Sequence, residues 1–423
     1  MNFPMIPMIS FFSFFPLTFL GLPAFAAEPV LTLAQSLRTA QANQPQLVRA
    51  QAAVLAAAAR SSGANAPLLP QVSFGASYNQ PWNRGGTAFV PGSALNLRAN
   101  QLIWDFGQRT NRLEAAKVNV GVQQQTEKLN QQQVALGVRT NFFAVRSAQV
   151  LVEVAQEAFN NQKRHLSQIT IFVGAGTRPP IDLAQGRRDL ANAQVKLINA
   201  QNAYKTSKAQ LNQAMGVSTS IDYSVANESM PAIQGEEQPL EALVREAETR
   251  RPDLAAIAEQ VRSQELTLAA QKGANSPVIQ ASAGLSDSGL GGSPLNWDAG
   301  ISLSTPLYDG GSIRAQTSEA EANLISLNAQ ADALRQQVRL ELTQARLAIE
   351  SEKLAIRAAA ESVRNAREQL VLAEGRYEVG VGNIIELDDA QLSLTSAKAQ
   401  QVQEDFKLAT ARAQLLKAIG REP

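Results

Sequence analysis

The chain has 423 residues, a formal charge of +1, no cysteine and 5% aromatic residues. That balance offers no electrostatic footprint for nucleic acid. The absence of cysteine excludes a disulfide framework, a thiolate metal site, a cysteine nucleophile and acylation at an N-terminal cysteine.

Residues 3–25 carry no charge, are rich in Phe, Leu, Ile and Met, and end in Ala24-Phe25-Ala26, the small-x-small pattern of a signal peptidase site. A signal peptide is expected over 1–26, with the mature chain starting near Ala27. Its first residues lack Lys and Arg, so a retained membrane anchor is the rival reading; Pro4, Pro7, Pro16 and Pro23 interrupt the stretch and argue against it. Beyond residue 27 no run of about 18 apolar residues remains, which predicts no transmembrane helix and leaves open membrane-crossing β-strands.

The rest reads as a tandem duplication. "NQPQLVRAQAAVLAAAARSSGANAPLLPQVSFGASY" from Asn43 matches "RRPDLAAIAEQVRSQELTLAAQKGANSPVIQASAGLS" from Arg250, pairing Pro45 with Pro252 and Pro67 with Pro277. Trp104-Asp105-Phe106-Gly107 recurs 204 positions later as Tyr308-Asp309-Gly310-Gly311. "FVGAGTRPPIDL" (172–183) recurs, two residues shorter, as "EVGVGNIIEL" (378–387), and Met215-Gly216 as Ile419-Gly420. The first repeat is expected over 27–216, as a helix, a strand hairpin 72–104, a long helix 107–173 and a helix 181–215. A polar linker follows over 217–238. The second repeat, 239–423, has a helix, a strand hairpin 278–308, a long helix 312–379 and a helix 384–419.

Each long run, from Gly107 to Val173 and from Ser312 to Val379, lacks proline over about 67 residues, enough for roughly 100 Å of continuous helix. Leu190, Ala193, Leu197, Ala200, Tyr204, Ser207, Leu211 and Ala214 follow 3-4 spacing. So do Ala320, Leu324, Leu327, Ala331, Leu334, Val338, Leu342, Ala345 and Ile349, with one extra step of four. An extended coiled-coil rod is one alternative.

Between the helices, Ile301, Leu303 and Thr305 alternate with Ser302 and Ser304, while Val72, Phe74 and Ala76, then Leu95, Leu97 and Leu102, supply the first hairpin. Residues 297–308 as one strand would rise roughly 37 Å, or about 28 Å when tilted by 40°, close to the apolar band of an outer-membrane barrel. Trp82, Trp104, Phe106, Trp297 and Tyr308 mark the segment ends, as a membrane-interface belt or as caps of a soluble sheet. Four strands cannot close a barrel, and lipid tolerates no bare edge. Two copies would give 8 strands and three would give 12. Asp105 and Asp309 are placed to cap the helices that follow, with Gly107, Gly310 and Gly311 allowing the turn.

"APLLPQVSFGASY", "ISLSTPLYDGG", "RYEVGVGNIIELDDAQ" and the duplication resemble the TolC-like outer membrane efflux proteins over the whole mature chain. The resemblance implies a mainly α fold with β: a homotrimer whose 12-stranded outer-membrane β-barrel is continued by a long α-helical barrel, with a small mixed equatorial domain. It implies an exit duct for efflux or type I secretion, lying in outer membrane lipid and reaching into the periplasm. A periplasmic adaptor protein and an inner-membrane pump or ABC transporter would dock on it.

Residue by residue, Val173-Gly174-Ala175 and Val379-Gly380-Val381 resemble the adaptor-docking tips. Glu386 and Asp389 match acids that narrow the periplasmic gate, and Asp182 and Tyr377 match positions that tether neighbouring helices. Gly382 stands where the best-known member has a basic tether, and Arg178 is offered as its substitute. The alternative is a soluble periplasmic coiled-coil adaptor.

No cofactor or metal is expected. The only histidine, His165 in "NQKRHLSQ", is expected on a solvated helix face. There is no phosphate-binding glycine loop followed by Lys, and Asp388-Asp389 has no apolar neighbourhood in sequence that would raise a carboxyl pKa.

Overall fold

The structure, a computed structural model, describes residues 30–79, 92–218, 223–288 and 295–421. The expected signal segment 1–26 and Trp82 lie outside them. In chain order the elements are β1 (Val30–Leu31), α1 (Leu33–Asn43), α2 (Pro45–Asn65), β2 (Gln71–Asn79), β3 (Gly92–Trp104), α3 (Gln108–Gly174) and α4 (Pro180–Met215). Then come β4 (Ser224–Val225), α5 (Leu240–Arg250), α6 (Pro252–Lys272), β5 (Val278–Ser288), β6 (Asn296–Ser304), α7 (Ser312–Glu378) and α8 (Ile384–Ile419).

The helices come in pairs of equal length: 11, 21, 67 and 36 residues in each half. Pro45 and Pro252 both occupy the first turn of their helix, where the missing N–H is no loss. The offset is 207 before the sheet (45 to 252) and 204 after it (108 to 312). At 207, Pro277 aligns with Pro70, not with Pro67: Pro67 lies inside a one-turn 3-10 segment, whereas Pro70 and Pro277 each stand directly before a strand.

The four longer strands form one antiparallel sheet in the order β2-β3-β5-β6. Its register sorts the side chains. Phe74, Leu97, Leu285 and Trp297 lie opposite one another in one row, and Val72, Ala99, Ala283 and Ala299 in the next on the same face. The other face carries Ser73, Asn96, Arg98, Ser282, Asp298 and Ser302. Gly75 and Gly284 make room there: a Cβ at either would come within 2.7 Å of Asn96 or 2.5 Å of Asp298. The apolar face is bare, with Phe74 70%, Trp297 79% and Ile301 75% exposed. β6 ends at Ser304, short of the expected crossing to residue 308, and Thr305 lies outside it; Pro306 has no N–H for a ladder.

Each long helix turns back on the shorter one after it, α3 on α4 and α7 on α8, and α3 also packs on α6 and α8. Every seam position on α7 is buried or half-buried, with Leu342 and Val338 essentially inaccessible. The segment 217–238 is not a polar spacer. β4 pairs in parallel with β1, and Tyr223, Val225, Met230 and Ile233 are buried against α3, α4, α7 and α8.

Glu236 is buried there under Arg412 and Lys353. Burial pushes its pKa up, but these two cations and the Ile233 N–H outweigh that and hold it at about 2. At the far ends of α4 and α8, Gly216 (φ +72°) and Gly420 (φ +82°) cap the helices. Their hydrogens face the α1–α2 and α5–α6 junctions so closely that a Cβ would sit 2.6 Å from Asn43 O or 2.9 Å from Arg250 C.

Candidate functional site

The site residues gather at the two turns where α3 passes to α4 and α7 to α8. Both turns have five residues, 175–179 and 379–383, so the first is not longer than the second. Both close in the same way. Thr177 N donates to Phe172 O (3.0 Å) and Gly176 N to Val173 O (3.0 Å); Val381 N donates to Arg376 O (3.1 Å) and Gly380 N to Tyr377 O (3.2 Å). This pair of bonds is the Schellman motif, in which the residue just past the helix cap is left-handed and favours glycine.

Gly176 (φ +73°) and Gly380 (φ +82°) hold that position. The partner of Gly380 is therefore Gly176 and not Gly174, which is the last helical residue of α3. The repeated Val-Gly dipeptide suggested the wrong pairing. At the tips Val379 and Val381 are 74% and 68% exposed, Ala175 is exposed and Val173 half-buried.

Beneath the turns, Tyr377 is 2% exposed and Asp182 6%. Burial and then the Asp182 carboxylate push the Tyr377 phenol pKa up. Arg178 donates from Nη2 to Tyr377 O (2.8 Å), and its guanidinium lies 4.4 Å from the centre of the Tyr377 ring. Gly382 is buried against Arg376 and Tyr377, where a Cβ would come within 3.0 Å of backbone. The cation here thus comes from the first turn.

Glu386 is exposed and paired with Arg376 (2.9 Å), and its N–H is capped by Asn383 Oδ1 (2.8 Å). Asp389 is exposed, with no ion pair among the described residues.

Two expectations fail here. His165 is not on a solvated face: it is 8% exposed, with Nε2 3.5 Å from Glu374 of α7 and Nδ1 3.3 Å from Gln168. Asp388 has the surroundings that sequence proximity did not show. It borders a cavity with Leu151, Val154, Ala193 and Leu392, and faces Asp189 of α4. Burial first, then the Asp189 carboxyl, push the Asp388 pKa up to about 7. Glu374 and Asp189 escape a sequence search because each sits in the other half of the chain.

At the sheet end, each aspartate turns the chain into its long helix. Asp105 Oδ2 accepts from Arg109 N (2.9 Å) and Oδ1 from Gly107 N (3.2 Å). Asp309 does the same for Ile313 N (2.6 Å) and Gly311 N (2.9 Å). Gly107 and Gly311 are left-handed N-caps; Phe106 (φ +55°) takes the left-handed place that Gly310 (φ +69°) holds in the second half.

The chain is 24% identical to the outer membrane protein TolC of Escherichia coli over 406 residues, 92% of this chain and 82% of that protein. It is 24% identical to the outer membrane efflux protein BepC of Brucella suis, over 83% of this chain and 77% of that one. The crystal structure of the Campylobacter jejuni CmeC outer membrane channel superposes with a TM-score of 0.83 at 17% identity, covering 92% of this chain and 85% of that one. The outer membrane efflux protein model matches residues 36–217 and 243–421. The chain belongs to the outer membrane efflux protein family, and its place is the outer membrane and the periplasm beneath it.

Proposed function

We propose that three copies of this chain form a passive exit duct for efflux or secretion. One observation carries the reading: a four-stranded sheet with one bare apolar face, one polar face and two unpaired edges, β2 and β6. In lipid such edges are intolerable, and closure by further copies removes them. Closure puts the apolar face against lipid and the polar face around water. At about 3.4 Å per residue and a 40° tilt, the nine residues of β6 cover roughly 23 Å, close to the height of an outer-membrane barrel's apolar band. A soluble periplasmic adaptor would have no use for a bare apolar sheet.

The equal halves are the product of a tandem duplication, and six helical hairpins, two from each copy, wall the periplasmic tunnel. At its far end Val379 and Val381 of the second turn, Ala175 of the first and the left-handed glycines of both form the seat for a periplasmic adaptor, through which an inner-membrane pump or ABC transporter delivers cargo. Glu386 and Asp389 narrow that mouth, and Asp182, Tyr377 and Arg178 hold the two hairpins of a chain together. The duct itself catalyses nothing. Crosslinking in outer membranes tests the assembly: a ladder that stops at three chains supports it, and one that stops at two contradicts it.

A further inference from the structure

Among the described residues the polar face of the sheet carries two charged side chains, Arg98 of β3 and Asp298 of β6. The register sets them in one row, in the order Ser73, Arg98, Gly284, Asp298, with Gly284 of β5 between the charges. The duplication does not account for this. At the offset of 204 that holds after the sheet, Arg98 corresponds to Ser302 and Asp298 to Ala94. Each half has its own charge, and the pairing of β3 with β5 brings the two into line.

Both side chains are exposed, and neither makes an ion pair or a side-chain hydrogen bond with a described residue. They differ in where their charge lies. A Cβ on Gly284 would sit 2.5 Å from Asp298 Oδ1, so this carboxylate lies over the glycine, against the wall of the sheet. Arg98 is longer, and nothing clamps it to the wall.

We infer, resting on the closed barrel proposed above, that Arg98 is a charge-selecting residue of the duct. One copy from each chain makes a cationic ring inside the barrel, which gathers anionic solutes and holds back cationic ones. Twelve strands about 4.8 Å apart and tilted by about 40° give a circumference of roughly 75 Å and a backbone radius of about 12 Å. An extended arginine reaches about 6 Å from its Cα and an aspartate about 3 Å. The guanidinium heads then stand about 6 Å from the axis, inside the screening length of about 8 Å at physiological salt. The Asp298 carboxylates stand about 9 Å from the axis. Because the row is perpendicular to tilted strands, they are also displaced by about 6 Å along it. The nearer charges therefore win. With Coulomb's law in water and this screening, a monovalent anion on the axis at the Arg98 ring is enriched about threefold and a monovalent cation depleted about threefold.

The chain has no cysteine, so Ser73→Cys supplies a single thiol beside Arg98 in the row. The full-length protein in lipid vesicles is treated with an anionic or a cationic methanethiosulfonate reagent, and modification is followed by mass spectrometry. The ratio of the two rates is divided by the same ratio for a free thiol. At about 6 Å one guanidinium should raise this anion-to-cation ratio about threefold at 0.15 M salt, about sevenfold at 0.01 M and about 1.4-fold at 1 M. Arg98→Gln should abolish the rise and its salt dependence, Arg98→Lys should keep both, and Asp298→Asn should leave the ratio at or above its starting value. A ratio of one at every salt concentration, or a rise that survives Arg98→Gln, would overturn the inference while the duct stands. A thiol that neither reagent reaches would overturn the duct and the ring together.

Discussion

Exchanging single glycines at the first tip distinguishes the turn seen in the structure from the one suggested by the Val-Gly dipeptide. Gly176 has φ +73° with open space around it, so Gly176→Ala brings no clash, only the cost of holding an L-residue left-handed, about 1–2 kcal/mol. Gly174 is helical and equally open, so Gly174→Ala gains helix propensity, about 0.5–1 kcal/mol. Opposite signs follow from neighbouring positions. Local opening of the turn reports them directly, through hydrogen exchange of the Thr177 amide, which donates to Phe172 O in the folded turn. Since about 1.4 kcal/mol is tenfold, Gly176→Ala should speed exchange about five- to thirtyfold and Gly174→Ala should slow it about two- to fivefold. Faster exchange in Gly174→Ala with none in Gly176→Ala would refute the Schellman assignment.

Three further outcomes follow. Glu236 titrates near 2 when folded against about 4.5 when free, so its stabilisation is complete above pH 4.5 and fades as pH falls toward 2. Glu236→Gln should lose up to about 3 kcal/mol at pH 7 and flatten the acid limb of a denaturation-versus-pH curve. Gly216→Ala and Gly420→Ala combine a left-handed backbone with a clash against the α1–α2 and α5–α6 junctions, so each should lower stability by more than about 2 kcal/mol in thermal unfolding followed by circular dichroism. In planar bilayers Asp389→Lys should shift the reversal potential toward anions, and Glu386→Gln should do less than Asp389→Asn, because Arg376 already offsets Glu386 at 2.9 Å.

What could be read from sequence was whatever local spacing encodes. Proline-free runs and 3-4 seams such as Leu334-Val338-Leu342-Ala345 point to long packed helices, and the alternation at Ile301-Ser302-Leu303-Ser304 points to a two-faced strand. What could not be read depends on partners far along the chain. Nothing near His165 in sequence announces Glu374, and nothing near Asp388 announces Asp189, so a buried histidine and a raised carboxyl both looked solvated. The linker looked polar because its buried side chains, Tyr223, Val225, Met230 and Ile233, are spaced too irregularly to show a period. At the tips a shared dipeptide outweighed the count of residues between helix ends, and that count sets which glycine turns left-handed.

Because the chain contains no cysteine, single cysteines can test the central claim, that the sheet is one part of a lipid-facing barrel around water. Ile301 and Ser302 are adjacent on β6 and lie on opposite faces. Planar-bilayer current should fall when a membrane-impermeant, positively charged thiol reagent meets Ser302→Cys, and should stay unchanged with Ile301→Cys. A current that falls for Ile301→Cys and not for Ser302→Cys, or a wild-type protein that carries no current, would contradict the account.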